Sequence, residues 1–144
     1  MQSFRKIVLE TGIAAGLLFI IHASFPNVNS WPMIWPALAG AAAFWLATRE
    51  PEPHRWRRGL TAALATGALT GAIAAVGLSI MVYVILHTNI LPSVREAAGQ
   101  SKGLISASSM LAFLILGAID FVVAFVAGLL MWPVRYFQTR HVHA

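Results

Sequence analysis

Apolar positions gather into four blocks separated by short polar connections, at about 7–25, 33–48, 59–86 and 108–132. Apolar runs of this length are long enough for membrane-spanning helices, which need about 20 residues to cross a hydrocarbon core of roughly 30 Å. The second block is short, and reaches across only by leaning on interfacial residues at its ends. The third is longer than a crossing needs, which predicts tilt or protrusion. The fold expected is all-α: an integral membrane four-helix transmembrane bundle, with residues 1–144 forming a single transmembrane domain.

The connections carry their own signals. The first block follows a short basic start. Glu10 interrupts its beginning and His22-Ala23-Ser24 makes a poor cleavage site, so it reads as a retained helix rather than a signal peptide. Residues 26–36 hold three prolines together with Trp31 and Trp35, which suit interfacial anchoring. Residues 49–58 form the most charged segment, and Pro51 and Pro53 forbid a continuous helix across it. There Arg55, Trp56, Arg57 and Arg58 suit lipid headgroup contact, with stems on apolar surface and charges in water. In the connection from 88 to 107, Pro92 and Gly99 bracket a short helix, with proline in its first turn and glycine past its end. Its residues Leu91, Val94 and Ala98 share one face suited to the membrane surface. Pro133 closes the fourth block, and a polar tail with His141 and His143 follows. An H-x-H lacking a third fixed ligand is a weak metal trap, so the tail is expected to be functionally silent.

Orientation follows from lysine and arginine. Arg5, Lys6, Arg49, Arg55, Arg57, Arg58, Arg135 and Arg140 fall on one side of the four spans; Arg95 and Lys102 fall on the other. The positive-inside rule then puts both termini and the second connection in the cytoplasm. Arginine outnumbers lysine eight to two and alanine is abundant, a composition typical of GC-rich bacterial genomes. The expected location is a bacterial inner membrane, with the chain crossing it several times.

Composition supports this and narrows function. The chain is 58% hydrophobic and 10% charged, far below the quarter charged of soluble domains. The +5 formal charge lies in loops between apolar blocks, a topology signal rather than a nucleic-acid face. With no cysteine, disulfide and thiolate chemistry are excluded. The sequence holds no G-x-S-x-G, no H-E-x-x-H, no phosphate-binding loop and no paired aspartates of headgroup transferases. A non-enzyme without cofactor is expected.

Two patterns bear on assembly. Ala63, Gly67, Gly71, Ala75 and Ser79 recur every four residues in the third block. Such a ridge lets another backbone approach closely, in this chain or in another subunit. In the fourth block Asp120 is the only charged residue, and it stands at the middle. A carboxylate at that depth costs roughly 2.5–3.5 kcal/mol on insertion scales. On a helix it shares a face with Gly117, Ala124 and Gly128, which turns it toward a close-packed side. No span places a lysine or arginine at its depth, so internal partners reduce to hydroxyls such as Thr66, Thr70 and Ser79, or water. Three roles are open: a hydrogen-bonded staple, a partner for a polar or basic group of another membrane subunit, and a proton or cation carrier.

Glu10, one turn inside the first span, has Arg5 and Lys6 within reach as a topological pair, or stands at the mouth of a carrier. His22 and His87, at the outer ends of the first and third spans, are candidates for haem or metal ligation. The leading expectation is a small non-catalytic subunit that assembles with itself or with a larger membrane complex. A proton- or cation-coupled transporter or channel using Asp120 comes second, and a haem-binding electron carrier third. Membrane lipids are the other expected partners.

Overall fold

A computed structural model describes residues 3–25, 31–49 and 53–141. They form helices α1 (Phe4–Ala23), α2 (Ile34–Ala47), α3 (Arg55–His87), α4 (Pro92–Ala98) and α5 (Lys102–His141), with one 3₁₀ turn, Gly99–Ser101, before α5. There is no strand among the described residues. Among the described residues, three stretches are long and apolar enough to cross a membrane: α1, α3 and the run from α4 into α5. The helix in the second expected span, α2, has 14 residues and rises only about 21 Å, short of the hydrocarbon core.

Local chemistry sets the helix ends. The Ser3 side chain caps α1 by accepting from the Lys6 backbone N–H at 3.2 Å. Proline opens α4, and Gly99 closes it at φ +51°, a conformation glycine adopts without strain. Two boundaries differ from the sequence expectation. Helix α3 starts at Arg55, so the three arginines form its first turn rather than a loop. Helix α5 begins at Lys102 and runs through Pro133 to His141 instead of stopping at the proline. Proline removes one ladder hydrogen bond, and a long packed helix absorbs that loss. Most of the segment expected to be a loose tail is therefore helical, while His143 lies outside the described residues.

Side-chain contacts fix the registers. Helix α1 runs parallel to α3: Thr11 meets Thr66, Gly12 meets Leu69, Gly16 meets Ile73, and Ser24 meets Met81. Helix α5 is antiparallel to α3, with Ala63 against Gly128 and Gly71 against Gly117. It runs parallel to α2, with Gly40 against Ala124 and Arg135 beside Thr48. Helices α2 and α3 pack on each other and lie between α1 and α5, whose backbones do not approach each other. One core cluster (Ile7, Ala43, Ala47, Ala62) fills the end where α1 and α3 begin. A second (Phe19, Met33, Ala74, Leu78) fills the other end.

These directions gather one class of residue. The start of α1, the end of α2, the start of α3 and the end of α5 share one end of the bundle. The basic positions 5, 6, 49, 55, 57, 58 and 135 therefore lie at that end, whereas Arg95 and Lys102 lie at the other.

A candidate buried polar site

The α3–α5 seam is built from small residues on both sides. A methyl added to Gly67 would meet the Ala124 methyl at 2.8 Å, and one added to Gly128 would meet that of Ala63 at 2.6 Å. At Gly71 the obstacle is the Gly117 backbone itself, with its carbonyl carbon 3.0 Å away. The ridge of the third span, Ala75 included, is thus filled by α5 of the same chain. This answers a question the sequence left open. Close backbone approach gains dispersion contact that lipid alone does not supply.

Asp120 sits inside this seam. Its side chain is 0% exposed, as is that of Ala124 one turn on. Neither carboxyl oxygen has a hydrogen-bond partner among the described residues. Near mid-helix in α5, it falls between the Gly117–Gly71 and Ala124–Gly67 contacts. Extending the α2–α5 register one turn back from Gly40–Ala124 puts Pro36 at its level. Pro36 is itself fully buried and has no N–H to offer.

The hydroxyls expected to answer Asp120 are engaged elsewhere. The Thr70 Oγ1 hydroxyl bonds the Thr66 carbonyl at 2.8 Å and the Gly12 carbonyl at 3.4 Å. The Thr66 and Thr11 hydroxyls meet at 3.1 Å, and Ser79 donates to Ala75 O at 2.6 Å. Serine and threonine return their protons to the preceding turn, the usual way to satisfy a hydroxyl in an apolar helix. Thr66 and Thr70 thus stitch α3 to α1, on a different seam from Asp120.

Two other expected groupings do not form. The Glu10 side chain is 57% exposed and pairs with Lys6 at 3.6 Å. It lies on the exposed face of α1, whereas Asp120 is buried in the α3–α5 seam, so Glu10 and Asp120 share no site. The two histidines are likewise apart. The α1–α3 register pairs Ser24 with Met81, which levels His22 with Ser79. His87 is eight residues further along, about 12 Å at helical rise. The His22 Nδ1 accepts from the Trp35 indole at 3.0 Å, while the His87 ring stacks on Tyr83 at 4.3 Å. The expectation of one depth fails because the two helices are of unequal length and aligned near their starts.

At the basic end, Trp56 is half-buried between Phe44 (6.1 Å between ring centres) and Trp132 (6.2 Å). Arg55 holds its guanidinium 4.7 Å from the Trp56 ring centre. Arg57 is exposed and Arg58 half-exposed. Arg135, which the sequence marks only as a topology charge, has a specific packing role. It donates to the Thr48 and Arg49 carbonyls at 3.5 and 3.4 Å and lies over Trp45 at 4.6 Å. It thereby caps the C-terminal end of α2, where a cation is favoured. No sequence signal identifies that partner, because α2 and α5 are far apart in the chain. Comparison with protein-family profiles, with characterised proteins and with solved structures gives no match for this chain.

Proposed function

We propose that this chain is a four-span protein of a bacterial inner membrane, with both termini cytoplasmic, and that Asp120 is the coupling group of a proton- or cation-linked carrier. The basic end of the bundle supports that orientation through the positive-inside rule. Helix α2 serves as the short span, with local thinning of the bilayer making up its length.

One observation carries the functional reading: a fully enclosed carboxyl at mid-helix, with both oxygens unpartnered among the described residues. Negative charge there must be cancelled by a bound proton or a bound cation. Exchange of one for the other at a single carboxyl is the elementary step of coupled transport. Because the site is closed, the exchange requires the α3–α5 seam to part. The small residues of that seam permit this without unthreading large side chains.

The test measures protons released from purified chain in weakly buffered detergent, using a pH indicator dye. Monovalent metal ions, divalent metal ions and lipophilic organic cations are added in turn. At least one class is expected to displace close to one proton per chain, and Asp120→Asn is expected to remove the signal. No release by the wild type, or equal release by Asp120→Asn, sinks the reading.

Assembly remains a second reading because of α5. Only 11% of the most apolar stretch in the α4–α5 run is buried in the bundle, against 28% in α1 and 33% in α3. Leu111, Leu114, Ile115 and Val122 form part of this exposed apolar surface. A second copy or a larger complex packed there would bury it, making the chain an accessory subunit. Gentle extraction followed by mass measurement decides: a chain running alone at its own mass removes this reading and leaves the carrier intact.

A further inference from the structure

We propose that the corner where α3 begins and α5 ends is a binding site for one anionic phospholipid. Its phosphodiester would sit at the first turn of α3 and an acyl chain would lie along α5.

Three features converge there. The first is an apolar groove of about 390 Å³ on the side of α5, lined by Trp132, Pro133, Tyr136 and Phe137. Its lining residues fall on two successive turns of α5, so an acyl chain can lie against both. Trp132 and Phe137 are 46% and 60% exposed. The second is a continuous path from this groove to a cation. Trp132 packs against Trp56, and the Arg55 guanidinium sits over Trp56. The third is the field at the head of the site. Arg55, Arg57 and Arg58 occupy the first turn of α3, where the helix dipole is also positive and the N-cap His54 makes no side-chain cap bond.

Charge chooses the occupant. In sequence, residues 1–10, 49–58 and 135–140 hold eight basic residues against three carboxylates, Glu10, Glu50 and Glu52, so their net charge is positive with every acid ionised. Guanidinium groups pair with phosphate oxygens in two-point geometry, and helix N-termini favour the same anion. An anion alone does not explain an adjoining apolar groove, and an apolar ligand alone does not explain the arginines. A phospholipid carrying net negative charge answers both. Tryptophans bordering the site fit the headgroup boundary, where such rings are enriched.

The experiment uses the full chain in phosphatidylcholine vesicles doped with lipids carrying bromine on the acyl chain, which quench tryptophan fluorescence on contact. Brominated phosphatidylglycerol and brominated phosphatidylcholine are compared at equal mole fraction. Each arginine near an anionic headgroup contributes about fivefold to partition, so the wild type is expected to favour phosphatidylglycerol by about that factor or more. Arg55→Gln with Arg57→Gln is expected to bring the two lipids to parity. Trp132→Phe is expected to remove most of the quenching specific to phosphatidylglycerol. Arg5→Gln with Lys6→Gln, equal in charge removed but on α1, is expected to change the preference less than twofold. Equal loss in both double variants means a diffuse field rather than a site and overturns the proposal. Competition by millimolar inorganic phosphate assigns the anion site to free phosphate and overturns it too. Wild type quenched equally by both lipids does the same.

Discussion

Replacing Asp120 with alanine is expected to stabilise the bundle and to abolish the cation-induced proton release proposed for it. The carboxyl is 0% exposed with neither oxygen bonded among the described residues. In mixed micelles an unfolded α5 lets that group reach water, so the penalty belongs to the folded state. A buried unsatisfied polar group costs about 1–3 kcal/mol, with carboxyls toward the upper end. Truncation to alanine leaves a hole the size of a carboxyl, which costs below about 1 kcal/mol at about 24 cal/mol per Å³. The net gain is about 1–2 kcal/mol, a factor of roughly 5–30 in the folding equilibrium. Alanine is a suitable replacement because Gly117, Ala124 and Gly128 continue the same small face, whereas leucine would overfill it. Asp120→Asn keeps the shape and the polarity, so its stability is expected to stay within about 0.5 kcal/mol of wild type. The assay is unfolding by sodium dodecyl sulfate in mixed micelles, followed by far-ultraviolet circular dichroism. A loss of more than about 1 kcal/mol for Asp120→Ala would refute the reasoning, because that sign belongs to a hydrogen-bonded staple.

Four further substitutions, one of them a control, test the packing. Gly71→Ala presses a methyl against the Gly117 backbone and is expected to lose about 1–3 kcal/mol in the same titration, whereas Gly103→Ala meets nothing within 4 Å and is expected to lose none. Gly99→Ala forces an L side chain to φ +51° and is expected to cost about 1 kcal/mol locally, read as faster amide exchange across α4 with little change at α3. Arg135→Gln removes the guanidinium from the α2 carbonyls and from Trp45; a loss of about 0.5–1 kcal/mol is expected, with a change in tryptophan emission that the double variant with Trp45→Phe no longer shows.

What the sequence made legible is what depends on spacing within one helix. The four-residue ridge on α3, the face shared by Gly117, Asp120, Ala124 and Gly128, and the proline and glycine bracketing α4 each follow from neighbours a few residues apart. Boundaries were harder where a breaker met a long packed segment. Pro133 reads as a stop in isolation, yet α5 continues to His141. Relations between helices were not legible. His22 and His87 look level if each is counted from the nearest loop, but the α1–α3 offset separates them by about two turns. Trp56 and Arg135 find Phe44, Trp132, Thr48 and Trp45 only because α2 runs parallel to α5, and no local pattern records that choice.

The seam itself supplies the argument for Asp120 as more than a packing residue. On α5 the small face reads Gly117, Asp120, Ala124 and Gly128, opposite Ala63, Gly67, Gly71 and Ala75 of α3. Three of those four α5 positions serve close approach, and alanine at 120 would serve it as well without a desolvated carboxyl. Nor does the acid repay its burial through the neighbouring threonines, whose hydroxyls bond backbone and each other along the α1 seam. An enclosed carboxyl without a hydrogen-bond partner among the described residues, in an otherwise apolar contact, lowers stability for no structural return. Residues that break a local packing rule without compensation are expected where function requires them. The chemistry a lone buried carboxyl offers is to hold a proton or a cation and let it go.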